Sequence, residues 1–399
     1  MASLLLPVIY LTFISLGLPD SLLGTAWPVM HVDLGAPVAA QSLISIIISC
    51  CTIVSSLLTA RLVRRLGTGR LTALSVALTA AAILGFSTTG AFWQLCLIAI
   101  LYGLGAGAID AALNNYVALN YGARHMSWLH CCWGIGASVG PLVMGWALGA
   151  SMGWPGGYLA IGAVQVAITV VLLFSVPLWR QAAGTDSAGE GKGKNTDEDE
   201  DKAANEGTGG ALTNRELLSL PGARAAIGSF GTYCALEGSI GLWIASYLTM
   251  ARGLNASTAA SIVAQFYLGI TAGRLISGFI AQWLTSENQI RLGQALVAAG
   301  LIGLIVLDGP LAASACVLVA GLGCAPIYPS IVALTPKRFG ERASQGLVSL
   351  QMACAYAGSM LVPPIFGLVA GAGGSPLIPF MALALLAANI FLAERAARR

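Results

Sequence analysis

Most of this chain consists of apolar stretches that are long enough to cross a lipid bilayer as helices. A membrane-spanning helix needs about 20 mainly apolar residues, and we identify twelve such stretches. Since a helix makes all of its backbone hydrogen bonds within one segment, it is stable in lipid, where water is absent. We therefore predict an all-α membrane protein with twelve transmembrane helices, at residues 4–30, 37–60, 70–90, 92–120, 127–150, 157–179, 223–250, 257–283, 289–308, 310–335, 343–372 and 376–394.

The composition agrees with a polytopic membrane protein and excludes a soluble one. Hydrophobic residues make up 57% of the chain and charged residues 9%, whereas a soluble domain carries about 25% charged residues. The first stretch lacks a basic leader and a small-residue cleavage site, so we interpret it as a retained helix and not as a signal peptide. The expected surroundings of the protein are the lipid bilayer.

An internal repeat divides the twelve stretches into two halves. Three pairs of segments match: Phe13-(x6)-Asp20-(x3)-Gly24 with Phe230-(x6)-Glu237-(x3)-Gly241, Gly103-Leu104-Gly105-(x3)-Ile109-Asp110 with Gly321-Leu322-Gly323-(x3)-Ile327-Tyr328, and Pro141-(x3)-Gly145 with Pro363-(x3)-Gly367. Parallel repeats of this kind are typical of secondary transporters, whose substrate sites lie between the repeats near the bilayer midplane. We predict two pseudo-symmetric six-helix halves.

One polar segment separates the halves. We predict an N-terminal six-helix half at residues 1–180, a linker at 181–222 and a C-terminal six-helix half at 223–399. The linker holds the acidic run 197–201 among Gly, Ser, Lys and Thr. Because this composition buries too little apolar surface to fold by itself, we expect a disordered cytoplasmic linker.

The basic residues predict the orientation of the chain in the membrane. With twelve helices, they collect in the loops of one side: Arg61, Arg64, Arg65, Arg70, Arg124, Lys337, Arg338, Arg342, Arg395, Arg398 and Arg399. The opposite side holds little beyond Arg252. Because cytoplasmic loops carry the excess of basic residues, we predict cytoplasmic termini in a bacterial inner membrane. This topology explains the net charge of +3, so we expect no nucleic-acid partner.

Three acids lie inside apolar stretches and are the main candidates for proton coupling. They are Asp20, Asp110 and Glu237, of which Asp20 and Glu237 occupy matching places in the repeat. A carboxyl in lipid costs at least about 2.5–3.5 kcal/mol, so such an acid is expected to face a protein interior or a water-filled path. His130 is a fourth candidate, since histidine titrates near neutral pH. The alternative interpretation is that these polar groups hold helices together.

Amide and aromatic side chains in the apolar stretches are candidates for binding a polar solute. Asn114 lies one helical turn after Asp110 and therefore on the same face, and its amide offers a donor and an acceptor. Pockets combine apolar walls with a few placed polar groups, although Trp and Tyr also form interfacial belts. The predicted substrate-binding residues are Asn114, Asn115, Trp133, Trp243, Gln265, Tyr328 and Gln351.

We expect no metal site, no cofactor and no enzymatic activity. Neighbouring helical residues point about 100° apart, so we do not expect His130 to share a metal with Cys131 and Cys132. We interpret the nine cysteines as small buried hydrophobic residues. The segment 136–140 matches the Gly-x-Ser-x-Gly pattern of hydrolases, which requires a strand–turn–helix context. Here it lies within an apolar helix, so its small residues indicate close helix packing.

These features together resemble the major facilitator superfamily over nearly the whole chain. Gly136-(x3)-Gly140-Pro141-(x3)-Gly145 is similar to the fifth-helix motif of that superfamily, and the basic loop 64–70 is similar to its loop between helices 2 and 3. The usual aspartate of that loop is replaced by Arg64, and Gln282 stands at the equivalent place in the second half. The resemblance implies the major facilitator fold without the standard charge latch between its halves.

Within the superfamily, the sequence most resembles the fucose permease-like group of fucose–proton symporters. The segment 105–114, in which Asp110 precedes Asn114 by four residues, resembles the fourth-helix pattern of that group, and the segment 237–248 resembles a seventh-helix pattern of its bacterial members. The resemblance implies proton-coupling and sugar-binding roles for Asp20 and Asp110.

The expected function is secondary active transport of a small polar solute, a sugar in particular, by proton-coupled alternating access. The alternative is a proton-driven exporter of drug-like or metabolite molecules; a membrane sensor and an intramembrane hydrolase are more distant alternatives. The expected partners are the solute, protons and lipid, and we expect a monomer.

Overall fold

Twelve long helices account for nearly all of the structure. The computed structural model describes residues 5–121, 123–189 and 212–398. We number the helices α1–α12 in chain order: α1 (Leu5–Asp20 and Leu22–Asp33), α2 (Gln41–Leu66), α3 (Thr68–Ser87), α4 (Phe92–Asn120), α5 (Ala123–Gly149), α6 (Gly153–Gly189), α7 (Ala223–Met250), α8 (Ala256–Ile280), α9 (Ser286–Val306), α10 (Pro310–Cys324 and Ile327–Phe339), α11 (Glu341–Leu361 and Pro363–Val369) and α12 (Ile378–Ala397). This confirms the predicted all-α fold.

The apolar helices are long enough to cross a membrane. By length and composition, ten continuous stretches of the described residues qualify as membrane spans. The last of these stretches, Arg342–Ala397, contains both α11 and α12, and α7 falls outside the ten. Many lipid-side residues are exposed leucines and aromatics, such as Leu57, Phe174 and Leu311. The protein is therefore a multi-pass membrane protein.

Two large clusters, one in each half of the chain, contain most of the buried core. Phe13 and Trp27 lie in the cluster formed by α1–α6, and Phe230 and Trp243 lie in the cluster formed mainly by α7–α12. Phe13 and Phe230 occupy matching places in the repeat, and both are fully buried. The repeat in the sequence therefore corresponds to two separately packed helix bundles.

A buried amide joins the first and last helices of each half. In the first half, the Ser15 hydroxyl donates to Gln165 Oε1 at 2.6 Å, which links α1 to α6. In the second half, Asn389 Nδ2 donates to the Ser229 carbonyl oxygen at 2.7 Å, which links α12 to α7, and Gln294 donates to Asn389 Oδ1 at 2.8 Å. These bonds show that some polar residues in the apolar helices do hold helices together, as polar groups in membrane bundles often do.

Proline interrupts three of the helices that line the seam between the halves. The break in α1 follows Pro19 and Asp20, the break in α10 lies at Pro326, and the break in α11 lies at Pro363. Proline has no backbone N–H and its ring clashes with the preceding turn, so a helix kinks or ends there. In α1 the break leaves Asp20 at the end of a helical segment, in the middle of the membrane-spanning length.

The glycines of the fifth-helix motif bring α5 against α1. A Cβ atom on Gly136 would collide with the carbonyl oxygen of Ile14, and one on Gly140 would collide with that of Leu18. Ser138, between them, donates its hydroxyl to the Gly134 carbonyl oxygen one turn earlier. The Gly-x-Ser-x-Gly pattern therefore serves helix packing, as the sequence predicts.

The two halves meet mainly toward one end of the bundle. We call this the closed end; the basic loops, with Arg65 and Lys337, lie at the opposite, basic end. Three contacts form what we call the far seal: Ser257 Oγ donates to the Gly145 carbonyl oxygen at 2.7 Å, Gln41 Nε2 donates to the Leu242 carbonyl oxygen at 3.1 Å, and Gly24 lies against Gly241. These contacts close the seam between the halves at the closed end.

Part of the predicted linker is helical. α6 continues to Gly189, beyond its predicted end at residue 179, and Asn214–Ser219 forms a short helix. The Thr213 backbone N–H and hydroxyl donate to the Glu216 carboxylate and hold the pKa of that carboxyl below its ordinary value. The acidic run 197–201 lies outside the described residues, so its predicted disorder stays a prediction.

Candidate functional site

Asp20 lies at the centre of the bundle, where two donors from neighbouring helices hold its carboxyl. The Tyr102 hydroxyl of α4 donates to Oδ1 at 2.6 Å, and the Trp133 Nε1–H of α5 donates to Oδ2 at 2.7 Å. Asp20 is nevertheless exposed to solvent. Each carboxyl oxygen thus accepts one hydrogen bond from a neutral donor, and neither donor supplies a positive charge that would compensate an ionised carboxyl.

Arg274 of α8, which belongs to the other half, lies next to Trp133. Its guanidinium carbon is 5.4 Å from the centroid of the Trp133 ring, a cation–π distance. The edge of Tyr267, two helical turns earlier on α8, also meets the Trp133 ring, with centroids 6.3 Å apart. Trp133 therefore contacts Asp20 with its N–H and Arg274 with its ring.

Glu237 of α7 is the acid partner of Arg274. The distance from Arg274 Nη2 to Glu237 Oε1 is 3.9 Å, and the two side chains are 20% and 19% exposed. That distance is longer than the roughly 2.7–2.9 Å of a charge-assisted hydrogen bond. The ordered series Tyr102, Asp20, Trp133, Arg274 and Glu237, which we call the central cluster, therefore crosses the seam and joins the matching acids of the repeat.

Asp110 lies on α4 close to this cluster. Asn114 Nδ2 donates to Asp110 Oδ1 at 2.8 Å and to the Asp110 carbonyl oxygen at 3.0 Å, as their spacing predicts. The Asp110 carboxyl is within electrostatic range of Asp20 and of Tyr356 on α11. Tyr356 is 50% exposed, and Asn115 is exposed. We call the region around Asp110, Asn114 and the central cluster the central space.

The remaining predicted residues lie farther from the centre or within the packing. His130 meets the edge of Phe13, with ring centroids 5.9 Å apart, and Gln265 is half-buried. Tyr328 packs on Phe230 and donates to the sulfur of Met352. Their roles in proton coupling and substrate binding stay predictions.

Two predicted substrate-binding residues are fully buried in the second half. The Trp243 indole N–H donates to the Pro363 carbonyl oxygen at 2.8 Å. Gln351 accepts a hydrogen bond from Thr335 at 3.0 Å. In this conformation both residues hold helices together, and neither meets the central cluster.

The structure adds Arg274, Tyr102 and Tyr267 to the predicted residues. Arg274 had a visible signal, because it is a basic residue inside an apolar stretch, where a charge is costly. The predicted site residues included acids of the apolar stretches, whereas basic residues entered the prediction only in the loops. Tyr102 and Tyr267 carry no such signal, since tyrosine is common in membrane helices.

Comparison with known proteins decides the family. The sequence profile of the Major Facilitator Superfamily matches residues 9–318. The chain belongs to the Major Facilitator Superfamily. It is therefore a member of a family of membrane transporters and not an enzyme, as the sequence predicts.

Characterised and uncharacterised relatives match the chain over part of its length. The protein TsgA homolog of Serratia proteamaculans is 23% identical over 37% of this chain and 38% of that protein. An uncharacterized MFS-type transporter of Yersinia pestis is 28% identical over 41% of this chain and 42% of that protein. Bypass of stop codon protein 6 of Saccharomyces cerevisiae is 28% identical over 39% of this chain and 33% of that protein. The chain thus spans less than half the length of these relatives.

Solved structures of similar shape confirm the fold over the whole chain. A bacterial homolog of the human lysosomal transporter Spinster, in an inward-facing and occupied conformation, aligns with a TM-score of 0.71 at 12% identity, covering 99% of this chain and 95% of that one. A mutant of the nucleoside transporter NupG aligns with a TM-score of 0.72 at 14% identity, covering 98% of each chain. At these identities the likeness shows the fold alone.

Proposed function

We propose that this chain is a secondary active transporter that moves a small polar solute together with protons by alternating access. The observation that carries the proposal is Asp20, a solvent-exposed carboxyl at a helix break between the two halves. Its donors, Tyr102 and Trp133, are neutral, so Asp20 can take up a proton without first breaking an ion pair. Asp110, Glu237 and His130 are further candidate proton sites.

The lining of the central space supports a polar solute. Carboxyl, amide, phenol and indole groups surround it, and such groups bind hydroxyls. We propose Asn114, Asn115 and Trp133 as solute contacts, in line with the resemblance to the fucose permease-like group. This lining favours a sugar-like solute over the drug-like molecules of the exporter alternative.

We also propose the orientation of the chain in the membrane. The positive-inside rule places the basic end, with Arg61, Arg64 and Arg65, in the cytoplasm. The described conformation is then inward-facing, and both termini are cytoplasmic in a bacterial inner membrane. A monomer suffices for this mechanism, because each half supplies one wall of the site.

Uptake and exchange by reconstituted protein test the role of Asp20. Proteoliposomes carrying Asp20→Asn should lose pH-driven accumulation of a solute identified from a panel of monosaccharides and sugar acids. The variant should keep counterflow, in which solute exchanges without net proton movement, because the amide retains the shape and loses the titratable proton. Undiminished pH-driven accumulation by the variant would refute this role.

A further inference from the structure

The guanidinium of Arg274 has open hydrogen-bond donors in the central space. Arginine has five N–H donors in a planar fork. Among the described residues, none of these N–H groups has an acceptor at hydrogen-bond distance, since the nearest carboxylate oxygen, on Glu237, is 3.9 Å away. The guanidinium carbon lies over the Trp133 ring, 5.4 Å from its centroid, and this cation–π contact supplies no conventional hydrogen-bond acceptor to the N–H groups. A carboxylate is the planar group that such a fork binds in a bidentate manner.

A second arginine of the same half, Arg291, shows the geometry of a guanidinium that is hydrogen-bonded to a carboxylate. Arg291 of α9 donates to the two carboxylate oxygens of Glu394 at 2.6 and 3.0 Å. Arg274 and Glu237 lie in the same kind of pairing but about 1 Å farther apart, and both side chains remain partly exposed. The Arg274–Glu237 pair therefore leaves the donors of Arg274 unsatisfied.

We propose that the solute of this transporter is a small hydroxylated carboxylic acid, such as a uronic acid, and that its carboxylate binds Arg274 in place of Glu237. The proposal rests on the proposed transport function and names its substrate class. The hydroxyls of the acid meet the neighbouring polar groups, Asp20 and the Asp110–Asn114 pair. The acid thus bridges α8 of the second half and α1 and α4 of the first.

Charge balance makes binding of this acid depend on a proton. Among the residues that the structure describes, the central space holds three carboxyls, Asp20, Asp110 and Glu237, against one guanidinium, that of Arg274. His130, Tyr233 and Tyr267 are titratable side chains within electrostatic range of Arg274 or Glu237. When the carboxylate of the solute takes Arg274, the negative charge of Glu237 loses its counter-ion, and a proton that enters with the acid restores the balance of charge in the site. One anion and one proton enter, and the charge of the site is unchanged. By linkage, the proton strengthens binding of the acid as much as the acid strengthens binding of the proton.

Matched pairs of ligands test the substrate class. Purified full-length protein is titrated by calorimetry with D-galacturonate against D-galactose and with D-glucuronate against D-glucose, at pH 6 and pH 8. We expect at least one acid to bind more tightly at pH 6, and its neutral partner to bind at least about tenfold more weakly, because a hydrogen bond to a charged group contributes roughly 1.5–3 kcal/mol.

Three variants assign the effect to Arg274 and Glu237. Arg274→Lys keeps the positive charge but loses the planar guanidinium that binds a carboxylate through two hydrogen bonds. The affinity for the acid should therefore fall at least about tenfold. Arg291→Gln, the matched arginine outside the site, should leave that affinity unchanged. Glu237→Gln removes the competing carboxylate, so the acid should bind more tightly at pH 8 and its pH dependence should flatten. This gain cannot arise from misfolding.

Three results would overturn the proposal: binding of neither acid, equal binding of the neutral sugar, or unchanged affinity in Arg274→Lys. These outcomes are separate from failure of the proposed function. If a monosaccharide binds and Asp20→Asn abolishes its pH-driven uptake, proton-coupled transport stands and the acid substrate falls. If the acid binds through Arg274 while Asp20→Asn retains uptake, the proposed substrate class is supported and the proposed role of Asp20 is refuted.

Discussion

Trp133 is the residue through which the two halves of the central cluster meet. Its N–H donates to Asp20 in its own half, and its ring lies against Arg274 of the other half. The first contact is a hydrogen bond and the second is electrostatic attraction to the ring face. A substitution that removes only the N–H can therefore separate the two.

Trp133→Phe should alter the pH dependence of transport more than the stability of the protein. Phenylalanine keeps an aromatic face for Arg274 but loses the donor to Asp20, and removing a donor from an ionised carboxyl favours its protonated form. We expect the half-maximal pH of solute uptake to move upward in proteoliposomes. Trp146→Phe is the control, because Trp146 is 59% exposed on the outer side of α5. An identical pH profile in Trp133→Phe and the native protein would contradict this role.

The sequence identified part of the cluster at the residue scale. Asp20 and Glu237 stand out because each is an acid in an apolar stretch and the repeat pairs them. That they are linked through Trp133 and Arg274 depends on how α5 and α8 are rotated, which local sequence does not specify. Trp243 illustrates the limit. As an aromatic residue in an apolar stretch it is predicted to bind solute, but its indole N–H donates to the Pro363 carbonyl oxygen within the packing of the second half.

At the scale of single elements, α5 and α1 pack closely because glycines replace side chains at their contact. Without water to drive burial, membrane helices associate through close packing, which small residues permit. The Gly136 and Gly140 contacts with Ile14 and Leu18 show this directly. The helix that carries Trp133 is thus fixed against the helix that carries Asp20.

Gly136→Ala should destabilise the protein. Its added Cβ would meet the carbonyl oxygen of Ile14, which belongs to a rigid backbone, and overpacking of this kind costs about 1–3 kcal/mol. We expect the thermal unfolding temperature in detergent to fall by several degrees. Gly278→Ala, on the exposed side of α8, is the matched control, because a Cβ there meets nothing within 4 Å. Equal unfolding temperatures for the two variants would show that α1 and α5 can move apart without cost.

At the scale of the whole molecule, the far seal determines which side of the membrane reaches the central cluster. Gly24 and Gly241 lie at matching places of the repeat and touch across the seam; a Cβ on Gly24 would lie 2.8 Å from the Gly241 carbonyl oxygen. In the alternating-access mechanism that we propose, rocking of the repeats separates the same helices at this end when the protein opens to the opposite side.

Gly24→Ala should therefore shift the protein toward the conformation that opens at the closed end. The substitution penalises the described state and leaves a separated state free of the clash, so the populations change accordingly. Spin labels at Arg65 and Lys337, introduced as cysteines after replacement of the native cysteines, report the distance between the halves at the basic end. We expect a larger fraction of short distances in the variant. An unchanged distance distribution would mean that the contacts of the far seal adjust locally and the two halves do not separate there.

The sequence by itself determined the fold class and the division into halves. Bilayer thickness sets the length of an apolar helix, and a repeat of sequence implies a repeat of structure, so neither conclusion needed coordinates. The tertiary structure decided which polar residues face the shared space. Asp20 and Arg274 both contact Trp133 at the seam, whereas Gln165 and Asn389 tie helices within one half. All four are polar residues in apolar helices; the rotation and tilt of each helix, set by packing against neighbours far away in the chain, give them different roles.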